Sequence, residues 1–368
     1  MKKKSFAYYW ILIYAFALIL CPPLKIGSKN VFLVELLLFP LLLKLGYALV
    51  KGKAKAPPRP LILVWVALLL AFISGLWRQE LAKELSLYLT YFYPPEGDQF
   101  RLTTDLTRYV RWTLMFSTPW IIQQTLSAKT LPTFLRAIYV LVFISACLAL
   151  FEMGGYINLA PYYGYVRNDF WGTRSYGTAQ SPLEASLIYG GVLILLLLNP
   201  HNLLKTKSTI YFIAAITYAL ALIATFGATA FVATAVCIVL WKIKSSSYMK
   251  NVFSVLPFNF LSLKQANFLT RFELWGKWLA VVPAHPWIVI FGMGFTSLVS
   301  DNSLFLMVMY GGFFLLISFL WWLKTCFVKV PAEFKIFFIF WFISWITLDS
   351  VGFWGIGRLA WLLFGFFL

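Results

Sequence analysis

The sequence predicts an all-α polytopic membrane protein, a single bundle of roughly 11–12 transmembrane helices with extracytoplasmic loop helices. Three observations predict it. The chain is 61% hydrophobic and only 12% charged over 368 residues, about half the charged fraction of a soluble protein. Its apolar residues fall in blocks long enough to span a bilayer, separated by short polar segments. Its basic residues are sorted between alternate segments, as expected of a chain threaded back and forth across a membrane.

The blocks run 6–21, 31–50, 61–77, 109–127, 134–151, 184–199, 209–226, 228–241, 304–322, 335–348 and 351–368. Several are shorter than the roughly 20 residues a straight span requires, so their ends are set by flanking residues as much as by hydropathy. The first block follows MKKK, and no small-residue cleavage site precedes Cys21-Pro22-Pro23; it reads as a retained span. The segment from Asn251 to Leu263 is 13 residues with a central Pro257. As a helix it reaches about 20 Å against a core of about 30 Å. Either it is a short or broken span extended by 264–270, or everything downstream is inverted. No repeat divides the chain, and 1–368 reads as one bundle domain.

The net charge of +18 raises the question of nucleic acid, and the placement of the charges answers it. The segments assigned to the cytoplasm hold 17 Lys/Arg and one acid, Glu333, whereas the opposite loops hold 11 basic and 11 acidic residues. That is the positive-inside bias, which places the N-terminus in the cytoplasm and calls for no basic groove. Four cysteines stand singly, and the only histidines are His201 and His285. Neither a disulfide framework nor a metal centre is expected, and no cofactor.

Three extracytoplasmic loops are long enough to build a site: 78–108, 152–183 and 262–303. Each mixes charge with aromatic residues, Tyr156, Tyr162, Tyr163, Tyr165, Phe170, Trp171 and Tyr176 in the second. Aromatic faces beside hydroxyls and carboxylates suit a sugar, with its apolar C–H faces and polar edges, and equally an interfacial aromatic belt. In the third loop Leu274, Trp275, Trp278, Leu279 and Val282 recur at helical spacing, and Glu273 precedes Lys277 by four residues. This is a helix for the bilayer surface, broken at Pro283 and Pro286. Gly292 and Gly294 then read as a tight turn laid over the mouth of the bundle. Within the spans, Glu35 and Arg358 are costly charges, for which pairing with each other or with lipid headgroups is the expected solution.

Four pieces resemble the O-antigen polymerase/O-antigen ligase superfamily of membrane glycosyltransferases. They are Arg174-Ser-Tyr-Gly177 with Pro182, Arg271-Phe-Glu-Leu-Trp275, Pro286 with Gly292 and Gly294, and Asp301-Asn302 followed nine residues later by Gly312. The third holds three residues more than the family's Pro-x-x-Gly-x-Gly. The family's Ser-Arg-Gly turn reads Thr225-Phe226-Gly227 here, so one expected phosphate-binding arginine is absent. Asp301 stands where ligases carry histidine, which favours a polymerase.

The resemblance implies a bacterial inner-membrane enzyme that joins undecaprenyl-diphosphate-linked oligosaccharides on the extracytoplasmic side, among membrane lipids and with a chain-length regulator protein as partner. It assigns catalysis to Arg174, Arg271 and Asp301, and substrate binding to Arg167, Asp169, Tyr176, Glu273, Trp275 and Asn302. The chemistry is consistent. Guanidinium groups meet a departing pyrophosphate bidentately and never lose their charge, so no metal is required. Asp301 accepts the proton of the attacking hydroxyl or, alternatively, caps the following helix. Arg174 and Arg271 equally fit snorkelling interfacial positions. An O-antigen ligase and a lipid-linked glycan flippase are the alternative functions; a flippase would place charge along a central path rather than in loops on one side.

Overall fold

The protein is described from a computed structural model, which covers residues 6–22, 24–26, 29–77, 101–159, 175–179, 181–199, 202–203, 208–225, 227–245, 276, 279–280, 282–295, 302–345 and 355–368. It is an α-helical membrane protein. Among the described residues, four helical stretches are long and apolar enough to cross a membrane: Leu33–Val50, Arg59–Trp77, Ala128–Met153 and Ser303–Val328. Shorter apolar helices pack with them.

In chain order the helices are α1 (Phe6–Ile19), α2 (Leu33–Leu36), α3 (Leu38–Val50), α4 (Arg59–Ser74), α5 (Leu102–Thr125), α6 (Leu131–Met153), α7 (Pro182–Leu198), α8 (Thr209–Ala224), α9 (Ala228–Ser245), α10 (Trp287–Phe291), α11 (Ser303–Val328), α12 (Ala332–Ser344) and α13 (Ile356–Phe367). A short antiparallel hairpin of β1 (Leu24–Ile26) and β2 (Lys29–Val31) links α1 to α2, with Leu24 opposite Val31. The sequence reading placed no strand there. Three-residue strands leave no periodicity to detect.

Several boundaries also differ from hydropathy. Residues 102–108, read as loop, are the first two turns of α5. Thr103, Thr104, Asp105 and Arg108 lower the hydropathy without breaking the helix. Asp105 starts it instead, its carboxylate accepting from the Arg101 N–H at 2.9 Å where the helix dipole favours an anion.

Cross-links between helix termini define the two ends of the bundle. At one end, Thr178 Oγ1 donates to the Ile19 carbonyl at 2.6 Å, Ser175 N–H to Ala224 at 3.4 Å, Gly355 N–H to Glu184 Oε1 at 2.5 Å, and Ser303 N–H to Trp345 at 3.0 Å. The ends of α1, α8 and α12 thus meet the starts of α7, α11 and α13. At the opposite end, Lys44 Nζ reaches the Thr125 carbonyl, Lys55 N–H meets Gln124, and Lys329 Nζ the Leu368 carbonyl. Lysines there satisfy the orphan carbonyls that close α5 and α13.

The interior is aromatic. Phe116, Phe319, Trp322, Trp341 and Trp361 are fully buried between α5, α11, α12 and α13, and Trp322 Nε1 donates to the Phe116 carbonyl at 3.1 Å. Tyr218 and Tyr139 donate in series to the Tyr139 and Leu195 carbonyls, stitching α8, α6 and α7. The periphery is also apolar, with Leu43, Val50, Ile210 and Ile317 exposed, as a lipid-facing surface must be.

Candidate functional site

The turn that enters α7 is held from three sides. Gly177 has φ +57°, a left-handed conformation, and a Cβ there would lie 2.8 Å from the Ser145 carbonyl and collide with the Tyr189 hydroxyl. Only glycine fits. Glu152, 3% exposed at the end of α6, accepts from the Tyr176 and Gly177 N–H groups at 2.8 and 3.1 Å. Thr178 Oγ1 is also 2.6 Å from Ser145 Oγ. Ser181 then caps α7 by accepting from the Glu184 N–H at 3.1 Å, and Pro182 occupies the first turn, where its missing N–H costs nothing. Gly227 packs on the same helix, since a Cβ on it would strike the Ser186 side chain. The described part of the Arg-x-x-Gly-x-x-x-x-Pro element and the residues Ala224 and Gly227 are therefore neighbours in space.

The segment 282–295 packs against α11 and the end of α4, with Met293 and Phe295 fully buried. Its backbone pairs with a break in α11: Met293 N–H donates to the Met309 carbonyl at 2.7 Å and Gly294 N–H to Tyr310 at 3.0 Å. The break falls at Gly311 and Gly312, whose φ values are −132° and +65°. A side chain on Gly312 would collide with the Ile290 carbonyl, one on Gly292 with the Tyr310 carbonyl, and one on Gly294 would come within 2.5 Å of Gly75 Cα. The residues between Pro286 and Gly292, including the three by which this element exceeds its family pattern, form α10. Close backbone contact is the physical reason for glycine at all these positions, and it seals irregular backbone away from lipid. Beside this lock, Ser74, Trp77, His285, Trp287 and Phe291 line an open groove of about 400 Å³.

A third feature is ionic. Glu35, in α2, meets two arginines through one oxygen: Arg111 Nε at 3.1 Å and Arg358 Nη2 at 3.5 Å. The pairing expected of Glu35 with Arg358 is present. Arg111, in the third turn of α5, was not singled out from sequence. A signal existed: Arg111 is one of the charges that fall inside the apolar blocks, with Glu35, Lys44, Arg136, Glu184, Lys335 and Arg358. Nearby, Arg108 donates to the Phe295 carbonyl, tying α5 to the segment 282–295.

Of the residues assigned from sequence, Arg167, Asp169, Arg174, Arg271, Glu273, Trp275 and Asp301 lie outside the described residues, as does the segment from Asn251 to Leu263. Tyr176 is buried beside Gly177. Asn302 is the N-cap of α11, accepting from the Phe305 N–H at 2.9 Å; the cap thus falls one residue beyond Asp301. Among the described residues no three His, Cys, Asp or Glu side chains cluster as metal ligands would. Comparison of the chain with protein-family models, with curated proteins and with solved structures returned no match.

Proposed function

We propose that the chain is a polysaccharide polymerase of the O-antigen polymerase/ligase type, a bundle of roughly 11–12 spans in a bacterial inner membrane with its N-terminus in the cytoplasm. It joins repeat units carried on undecaprenyl diphosphate, at the extracytoplasmic surface. The observation that carries this reading is the gathering of motif-bearing segments at one end of the bundle. The Gly177 turn, Gly227 and the Asn302 cap that opens α11 all lie at the end opposite Lys44, Lys55 and Lys329. The lysine-bearing end is the cytoplasmic one under the positive-inside rule.

In the proposed reaction, the bond from the donor sugar's anomeric carbon to the diphosphate oxygen breaks, and a bond to an acceptor hydroxyl forms. The hydroxyl proton passes to Asp301. The electron pair stays on the departing lipid diphosphate, which Arg174 and Arg271 stabilise. Tyr176 shapes the turn that carries Arg174, while Arg167, Asp169, Glu273, Trp275 and Asn302 bind or frame the glycan.

Deleting the gene and resolving the cell's glycolipids by length tests the proposal. A polymerase deletion leaves single repeat units attached to their final acceptor. Full-length glycan accumulating on the lipid carrier, without short capped product, would assign the ligase reaction instead.

A further inference from the structure

We infer that the groove between the end of α4 and α10 is a lipid site that takes one acyl chain of a phospholipid. Its depth in the membrane follows from α4. That helix follows Lys55, which meets Gln124 at the lysine-bearing end, and the stretch Arg59–Trp77 is helical and apolar over 19 residues. At 1.5 Å per residue this is about 28 Å, close to the full hydrocarbon thickness. Trp77, 52% exposed, therefore stands at the opposite interface, where tryptophan is favoured. The wall from Leu70 to Trp77 reaches about 10 Å below that interface, within a single leaflet of roughly 15 Å.

The surroundings of the groove say what covers it. Ile73 and Phe291 in its walls, and Leu69 and Ile290 beside them, are exposed, so it is continuous with the lipid-facing periphery. Hydrocarbon rather than water reaches such a surface. The Ser74 hydroxyl is occupied, donating to the Ala71 and Phe291 carbonyls at 3.0 and 3.4 Å. Among the described lining residues there is no lysine, arginine, aspartate or glutamate, so the walls call for an apolar occupant. Left empty, they would forfeit dispersion contacts.

The size selects the chain. A methylene takes up about as much room as a water molecule in the liquid, roughly 30 Å³, so the groove of about 400 Å³ holds on the order of a dozen. One phospholipid tail fits, and a long isoprenoid chain would overrun it. The tail lies against α10 and next to the contact of Gly294 with Gly75, so occupancy steadies the segment 282–295 on α4. This site does not rest on the polymerase reading.

The test places the full chain in vesicles of phosphatidylethanolamine and phosphatidylglycerol, with a trace of phosphatidylglycerol carrying a photoreactive diazirine in one acyl chain. Adducts are located by peptide mass spectrometry. They are expected on Ile73, Trp77 and Phe291 in excess of those on Leu220 and Ile223, which are exposed near the end of α8 on the same side of the bundle. Ile73→Trp puts bulk into the groove and should lower its labelling about tenfold, the equivalent of losing two buried methylenes. Leu70→Phe takes its place if that variant does not fold, and Ile223→Trp should leave groove labelling unchanged. In detergent, dipalmitoyl phosphatidylglycerol should raise the melting temperature more than the dioctanoyl lipid, whose tails fill only part of the groove.

Equal labelling of the groove and of α8, or undiminished labelling in a folded groove-filling variant, shows only the general lipid shell and overturns the site. Displacement of the adducts by undecaprenyl phosphate, but not by unlabelled phosphatidylglycerol, gives the groove to an isoprenoid chain and overturns the phospholipid assignment. Labelling is read without any glycan substrate, so failure of the polymerase reading in cells leaves a positive result standing.

Discussion

Asn302 caps α11 through its side-chain oxygen, so the helix start does not depend on Asp301. The two neighbours can therefore be separated by substitution. Asn302→Ala should cost about 1 kcal/mol of stability, the usual worth of such a cap, seen as a lower melting temperature. Asp301→Asn leaves that cap untouched. If it abolishes polymer formation at normal protein abundance, the carboxylate acts in the chemistry; a normal polymer length would remove Asp301 from the mechanism. Arg174→Lys and Arg271→Lys keep the charge but lose the fork. Each should lower turnover by about two to three orders of magnitude, as removal of a transition-state donor does. Near-normal polymer in both would dismiss the two arginines. Glu152 shows the same economy in a supporting role: one carboxylate fixes two consecutive N–H groups of the turn directly after Arg174 and Ser175.

At the scale of elements, α11 is two helical pieces joined at Gly311 and Gly312, and the break is occupied by the backbone of 293–294. Replacing Gly312 puts a Cβ at φ +65° against the Ile290 carbonyl. The strain of such a conformation is about 1–3 kcal/mol, before any cost of separating α10 from α11. At Gly46, in α3, an added Cβ would meet nothing within 4 Å, and this position serves as the control. Gly312→Ala should lower the melting temperature in detergent, while Gly46→Ala should leave it unchanged or raise it, alanine being the better helix former. Equal melting of both variants would show that the glycine lock contributes nothing. The spacing of Gly292, Gly294 and Gly312 was visible in the sequence. That they close on one another was not, because each reports only a local need for a small residue.

For the whole molecule, sidedness is the property most open to measurement. Single cysteines replacing Asp98, Asn168 and Ser300, in a background lacking the native four, should all react with an impermeant thiol reagent in intact spheroplasts. Reaction at the first two and not the third would mean that the segment from Asn251 to Leu263 does not cross, and that the chain beyond it is inverted. The basis is the charge census: 17 basic residues against one acid in the segments assigned to the cytoplasm.

Membrane helices, their rough positions and the sorting of charge could be read in one dimension, because a bilayer tests each stretch of about 20 residues separately for its own hydropathy. Glu35 and Arg358 stood out for the same reason, as charges within apolar runs. Arg111 did not, lying between Val110 and Trp112 in a helix whose first turns are polar. Its meeting with Glu35 and Arg358 draws α5, α2 and α13 together across nearly the whole chain. The clasp of Glu152 on Gly177, the packing of 282–295 against α11 and the convergence of two arginines on one carboxylate were decided by tertiary structure alone. Hydropathy determines which segments enter the membrane; which face of each helix meets which neighbour depends on packing and hydrogen bonding between residues far apart in sequence.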